Sequence, residues 1–241
     1  MLNDADWLTP GWPGATAFMT TRGPNFGRKA GDPALARANR AALAGLLHAR
    51  PIFLDQVHGA DVVRLQRGWH DDNAPRADAA VSTDPELAVA ILVGDCLPVL
   101  FSAPGGVAGA HAGWRGLAAG VLENTVAELC AAVSCGPRDV KAWLGACIGP
   151  EAFEVGPEVV QAFGREPLPG DQAGFLYRPS PDPRWRADLP MLARERLAVA
   201  GVTNISGGTW CTLTDASRFF SFRGEAAGRP RGRMAACISL R

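Results

Sequence analysis

Residues 87–101 read Leu-Ala-Val-Ala-Ile-Leu-Val-Gly-Asp-Cys-Leu-Pro-Val-Leu-Phe, two apolar runs that predict strands over 87–93 and 98–102, parted by a Gly-Asp-Cys-Leu turn. Side chains on consecutive positions of a strand point to opposite faces, so both faces of such a sheet must be covered. Further strands are predicted at 15–20, 51–54, 62–65, 79–83, 107–111, 140–146, 219–222 and 234–240, and the 28 Gly and 19 Pro punctuate these short segments. Helices are fewer. Asp32-Pro33 opens one that keeps Leu35, Leu43, Leu46 and Leu47 at near-helical spacing up to His48. The best spans 117–133, with Val121, Leu122, Val126 and Leu129 as one apolar stripe. Gly156-Pro157 opens a short helix to 163, and a last one runs from 189 to 200 before Gly201. Residues 164–186, rich in Pro, Gly, Arg and Asp, read as a long loop that could serve as a lid. No repeat or linker divides the chain, so the expectation is a single α+β domain over residues 1–241.

Composition excludes several classes of function. Lys and Arg (24) balance Asp and Glu (24), and 47% of residues are hydrophobic, so the chain is neither disordered nor a general binder of nucleic acid or anionic membrane. No run of about eighteen apolar residues exists, and the opening MLNDADWLTPGWPG is acidic where a signal peptide would be basic and then greasy. A cytoplasmic protein is expected. Six cysteines without a CxxC pair argue against a disulfide framework. Four histidines (48, 58, 70, 111) are too few for the trinuclear copper cluster of a dioxygen-reducing multicopper oxidase.

Three segments concentrate residues that folding alone does not demand: Gln56-Val57-His58-Gly59, Gly94-Asp95-Cys96-Leu97-Pro98 and Ala110-His111-Ala112-Gly113-Trp114-Arg115-Gly116. Each puts a borderline or soft donor at a strand end. Two imidazoles and a thiolate suit zinc and leave a fourth tetrahedral position open, the arrangement of catalytic rather than structural sites. Copper accepts the same donors. The bland alternatives are a hydrogen-bonded turn histidine at 58 and a small hydrophobe at Cys96. Asp95 is a candidate for orienting a ligand, or a turn former. Arg115 is a candidate anion holder with the helix start beside it, and Trp114 a candidate stacking surface. Arg22 and Asn25 are further polar candidates near the first strand end.

At these residues the sequence resembles the YfiH family, zinc-binding proteins once labelled laccase-domain or multicopper polyphenol oxidases and now viewed as purine nucleoside phosphorylases. The likeness runs over nearly the whole chain. It is carried by Thr21-Arg22, Asn25-Phe26-Gly27, Asn39-Arg40, Gln56-Val57-His58-Gly59, Ala77-Asp78-Ala79, Asp95-Cys96-Leu97-Pro98-Val99, His111-Ala112-Gly113-Trp114-Arg115-Gly116, Phe219-Phe220-Ser221-Phe222-Arg223 and Gly232-Arg233-Met234-Ala235. The resemblance implies a layered α/β/β/α sandwich with mixed sheets and His58, Cys96 and His111 as metal ligands. It further implies phosphorolysis of adenosine, inosine, guanosine and methylthioadenosine to base and ribose 1-phosphate, with adenosine deamination alongside. Arg22 and Arg115 would then hold phosphate. Two departures stand out. Only Gly23 and Pro24 separate Arg22 from Asn25 where the family has a longer Gly-Gly-Val-Ser loop, and Glu151 stands where some members carry cysteine. The competing expectations are a metal-free thiol hydrolase with Cys96 activated by His111, a copper-dependent phenol oxidase, and a zinc-binding module without catalysis. The sequence assigns no oligomeric state.

Overall fold

The two apolar runs are central strands of different sheets, seen in a computed structural model that describes residues 6–70 and 72–241. The first five residues of the acidic opening segment, and Asp71, lie outside the described residues. In chain order the strands are β1 (Ala15–Met19), β2 (Arg50–Phe53), β3 (Val62–Arg64), β4 (Ala79–Ser82), β5 (Leu87–Val93), β6 (Leu97–Ala103), β7 (Gly106–Ala112), β8 (Lys141–Leu144), β9 (Glu154–Val155), β10 (Phe175–Arg178), β11 (Arg184–Ala187), β12 (Asn204–Gly207) and β13 (Met234–Leu240). The α-helices are α1 (Pro33–Leu47), α2 (Trp114–Ala118), α3 (Val121–Val133), α4 (Pro157–Ala162), α5 (Leu189–Val199) and α6 (Phe222–Glu225). One sheet has the order β1-β13-β5-β2 and a second β12-β8-β6-β7-β4-β3, both mixed; β10-β11-β9 form a small third.

Alternation along the strands explains the layers. Val89, Ile91 and Val93 of β5 meet Leu100 of β6, Ala80 and Trp143 between the two large sheets. Ala88 and Ala90, the other face of β5, pack with Leu43 and Leu47 of α1. On the far side, Leu97, Val99 and Phe101 of β6 meet Leu122, Val126 and Leu129 of α3 and Leu192 and Leu197 of α5. The result is the expected α/β/β/α sandwich. Each fully buried Leu, Ile, Val or Phe adds about 1.5–3 kcal/mol, so three such interfaces hold the strand ends firmly. No described helix is long and apolar enough to cross a membrane.

Four expectations need correction. The helix predicted over 117–133 starts earlier and is broken, because Gly120 at φ 93 turns the chain left-handed between α2 and α3. Residues 164–186 are not one long loop: β10 and β11 pair antiparallel there, and Phe175 and Trp185 are buried against the α3 side of the molecule. Residues 219–222 form no strand. Phe219 and Phe220 are buried, but Ser221 caps α6 by accepting from the Gly224 N–H, so the backbone turns instead of entering a ladder. The polar strand β12, on the edge of the second sheet, carries no apolar run and was not predicted.

Candidate metal centre

The chain crosses from the first sheet to the second twice, between β2 and β3 and between β5 and β6, and each crossing carries a donor. His58 lies in the first crossing, Cys96 in the second, and His111 near the end of β7, which lies beside β6 with His111 opposite Pro98. Their ligating atoms all lie within 4.8 Å of one another; His58 is exposed, Cys96 half-buried and His111 buried. The two imidazole rings stand edge to face, 4.8 Å between centroids.

A fourth residue builds the cluster. Asp78, fully buried just before β4, accepts the N–H groups of Val57, His58 and Gly59 at 3.1, 2.9 and 2.7 Å. Three successive amides can converge on one carboxylate because His58 adopts φ 63, a left-handed conformation uncommon outside glycine. The same carboxylate lies 2.8 Å from Nδ1 of His111, and the His111 N–H donates to the Asp78 carbonyl at 2.7 Å. With Nδ1 engaged there, Nε2 of His111 is the nitrogen left for an ion, the usual carboxylate–histidine–metal arrangement. Burial alone would raise the Asp78 carboxyl, but His111 and the amides outweigh it and hold it below the usual carboxylate range.

Electrostatics favour the ligating form of the sulfur. Burial pushes the Cys96 thiol up, yet the hydrogen bonds and charges of His111 and His58 bring it down to about 6. Burial likewise lowers His111, while Asp78 and Cys96 raise it to about 9. Without an ion the pair is therefore thiolate and imidazolium near neutral pH, and a metal ion held by these donors would displace the shared proton. The donor set fits a zinc-type ion.

Glycines set the spacing. A Cβ on Gly113 would lie 3.0 Å from both Cys96 Sγ and His58 Cδ2, and one on Gly116 would lie 2.5 Å from the Gly59 carbonyl oxygen. The glycines of the His-Ala-Gly-Trp-Arg-Gly stretch thus leave room for the donors and for the 56–59 turn.

A cavity of about 610 Å³ opens over the donors, lined among others by Gly27 to Ala30, Gln56, Gly94, Asp95, Phe222 and Arg233. Of the other predicted site residues, Asp95 lines it, and the hydrogen bonds of its carboxylate go to residues other than the three donors. Its carboxylate accepts Thr212 Oγ1 at 2.5 Å, Ser221 Oγ at 3.1 Å and the Arg223 N–H at 2.7 Å, and burial raises its pKa against those hydrogen bonds. Arg22, Asn25, Trp114 and Arg115 do not line the cavity. Arg22 donates to the Ala216 carbonyl at 2.7 Å, and the exposed Arg115 guanidinium lies 4.2 Å over the Trp114 ring. Asn25 acts one step back: it accepts from Gly27 and Arg233 N–H groups, both at 2.9 Å, and donates to Ala30, shaping the 27–30 wall. Of the cations that do line the cavity, Arg28 and Lys29 were not singled out from the sequence, and Arg40 and Arg233 were quoted only within the resemblance, with no site role. His48 caps α1 and His70 lies 3.2 Å from Arg50, so neither joins the cluster.

Fold and site together define a two-sheet sandwich with a His-Cys-His donor set at the wall of a cavity. The chain belongs to the family whose model, described as multi-copper polyphenol oxidoreductase laccase, matches residues 15–241. Over 97% of its length and 98% of the relative's, it is 42% identical to a purine nucleoside phosphorylase of Pseudomonas aeruginosa. It matches the purine nucleoside phosphorylase YfiH of Escherichia coli at the same identity and coverage. Among solved structures, a Neisseria meningitidis protein superposes with TM-score 0.85 at 36% identity, covering 98% of this chain and 99% of that one. YlmD from Geobacillus stearothermophilus superposes with TM-score 0.84 at 30% identity, covering 100% and 98%.

Proposed function

We propose that this chain is a zinc-dependent purine nucleoside phosphorylase acting on adenosine, inosine, guanosine and methylthioadenosine, that it also deaminates adenosine, and that it works in the cytoplasm. The observation that carries the reading is the convergence of His58, Cys96 and His111 on a cavity of nucleoside size, in a chain whose relatives bear the phosphorylase name. When bound, the ion supplies Lewis acidity at the cavity wall. The remaining work falls to the chain itself. Asp78 fixes the direction of His111 and of the 57–59 turn. In phosphorolysis a phosphate oxygen forms a bond to C1′ of the ribose, the bond to N9 breaks, and its electron pair leaves with the base, which takes up a proton. Lys29 is the best candidate to hold the phosphate, since it lines the cavity and has no ion-pair or hydrogen-bond partner among the described residues. Arg28, partly engaged with Asp72 at 3.4 Å, stands beside it. This role passes to them from Arg22 and Arg115, which lie off the cavity.

Chromatography of adenosine reactions run with and without phosphate tests the reading. Adenine and ribose 1-phosphate should form only with phosphate, and inosine in its absence; zinc-loaded protein that converts no purine nucleoside would sink it. Cys96→Ser and His111→Ala should each lose zinc and turnover together. One specific observation favours a second reading: Cys96, His111 and Asp78 also form the nucleophile, base and orienting acid of a thiol hydrolase. Rapid alkylation of Cys96 in metal-free protein that remains active would select it.

A further inference from the structure

The stretch Phe219-Phe220-Ser221-Phe222 divides its three aromatic rings unequally. Phe219 and Phe220 are buried, whereas Phe222 is 65% exposed, the one aromatic among the large exposed apolar side chains of the described residues. A phenyl ring left in water forgoes the transfer energy that burial would provide; what singles this one out is where it stands. Phe222 lines the same cavity as His58, Cys96 and His111.

Its backbone is fastened on every side to the turn that carries Cys96. The Phe222 N–H donates to the Gly94 carbonyl at 2.9 Å. Ser221 Oγ before it and the Arg223 N–H after it both donate to Oδ2 of Asp95, at 3.1 and 2.7 Å. The ring is therefore held in register with the metal centre through the two residues that precede Cys96. Arg233 approaches the same ring, its Cζ 5.4 Å from the centroid, and Glu225 holds that guanidinium at 2.5 Å. A flat apolar face, a planar cation beside it and an open cavity make a surface for a flat heteroaromatic ring.

We infer that Phe222 is the stacking platform for the nucleobase, held in place by the hydrogen bonds that its neighbours Ser221 and Arg223 make to Asp95. The inference rests on the purine reading above and adds to it the wall against which the base lies. Stacking is indifferent to the exocyclic groups of the base, which suits a site that takes adenine, hypoxanthine and guanine alike.

Steady-state kinetics on the zinc-loaded full-length protein test it. In Phe222→Ala the KM for adenosine should rise roughly 5- to 150-fold, the range of single base–aromatic stacks, while the KM for phosphate and the zinc content stay unchanged. Phe222→Tyr should restore the parent KM, and Phe222→Leu should not. An adenosine KM within twofold of the parent in Phe222→Ala overturns the platform, as does an equal rise in the KM for phosphate. Should the parent convert no nucleoside at all, the purine reading itself falls. The platform is then judged by equilibrium dialysis of adenosine against zinc-loaded protein, where weaker binding by Phe222→Ala supports it and equal binding rejects it.

Discussion

Asp78 commits its carboxylate to both imidazole-bearing segments at once, receiving three amides of the 57–59 turn and facing Nδ1 of His111. Replacing it by Asn removes the charge but keeps the shape, and zinc affinity should fall about 10- to 100-fold, the usual cost of losing such an orienting partner; competition with a chromogenic chelator reads it. Protonation adds a second test. Cys96, lowered to about 6, is already a thiolate at pH 7.5, whereas His111, raised to about 9, still carries the proton that an ion must displace. Zinc uptake at pH 7.5 should therefore release about one proton from this pair, rising toward two below pH 6 and falling to none above pH 9. Titration calorimetry in buffers of different ionisation enthalpy counts them; release that does not change with pH would contradict the assignment. His58, Cys96 and His111 stood out as candidates at strand ends, but it was the family resemblance, not their spacing along the chain, that made them a ligand set. Asp78 was not, since one acid between Ala77 and Ala79 reads as an ordinary strand boundary. The available signal was that an acid entering a fully apolar strand must find a partner in the interior.

At the scale of elements, what the sequence revealed followed burial. β5 and β6 are covered on both faces and wrote that into consecutive apolar residues, and α1 announced itself through Asp32, whose side chain accepts from Ala34 and Leu35. β10 and β11 were hidden because Arg178, Arg184 and Arg186 line them and, of their large side chains, Phe175 and Trp185 alone are fully buried. Residues 219–222 misled for the opposite reason: aromatic residues favour strands, yet here two pack inward and the third faces the cavity. The break between α2 and α3 depends on a single left-handed glycine with open space around it, since a Cβ on Gly120 would meet nothing closer than Glu123 Oε2 at 3.8 Å. Gly120→Ala should thus cost about 1–2 kcal/mol for conformation alone, read by urea unfolding, with zinc content intact. A neutral result would mean that the two helices can join.

For the molecule as a whole, three apolar interfaces hold the layers together without help from an ion. Chelation should accordingly leave a protein that still melts in one cooperative step, unlike small zinc modules that unfold without metal. Relative to protein in zinc at one hundred to one thousand times its dissociation constant, the stripped form should be about 3–4 kcal/mol less stable. A chelated protein with no thermal transition would show that the cluster is structural. The donors also sit where the backbone steps from one sheet to the other, His58 in one step and Cys96 in the next. An ion gripped there would act as a rivet through two plates that already adhere: sliding one sheet along the other would strain its bonds, so a shift between the layers would be felt at the cavity.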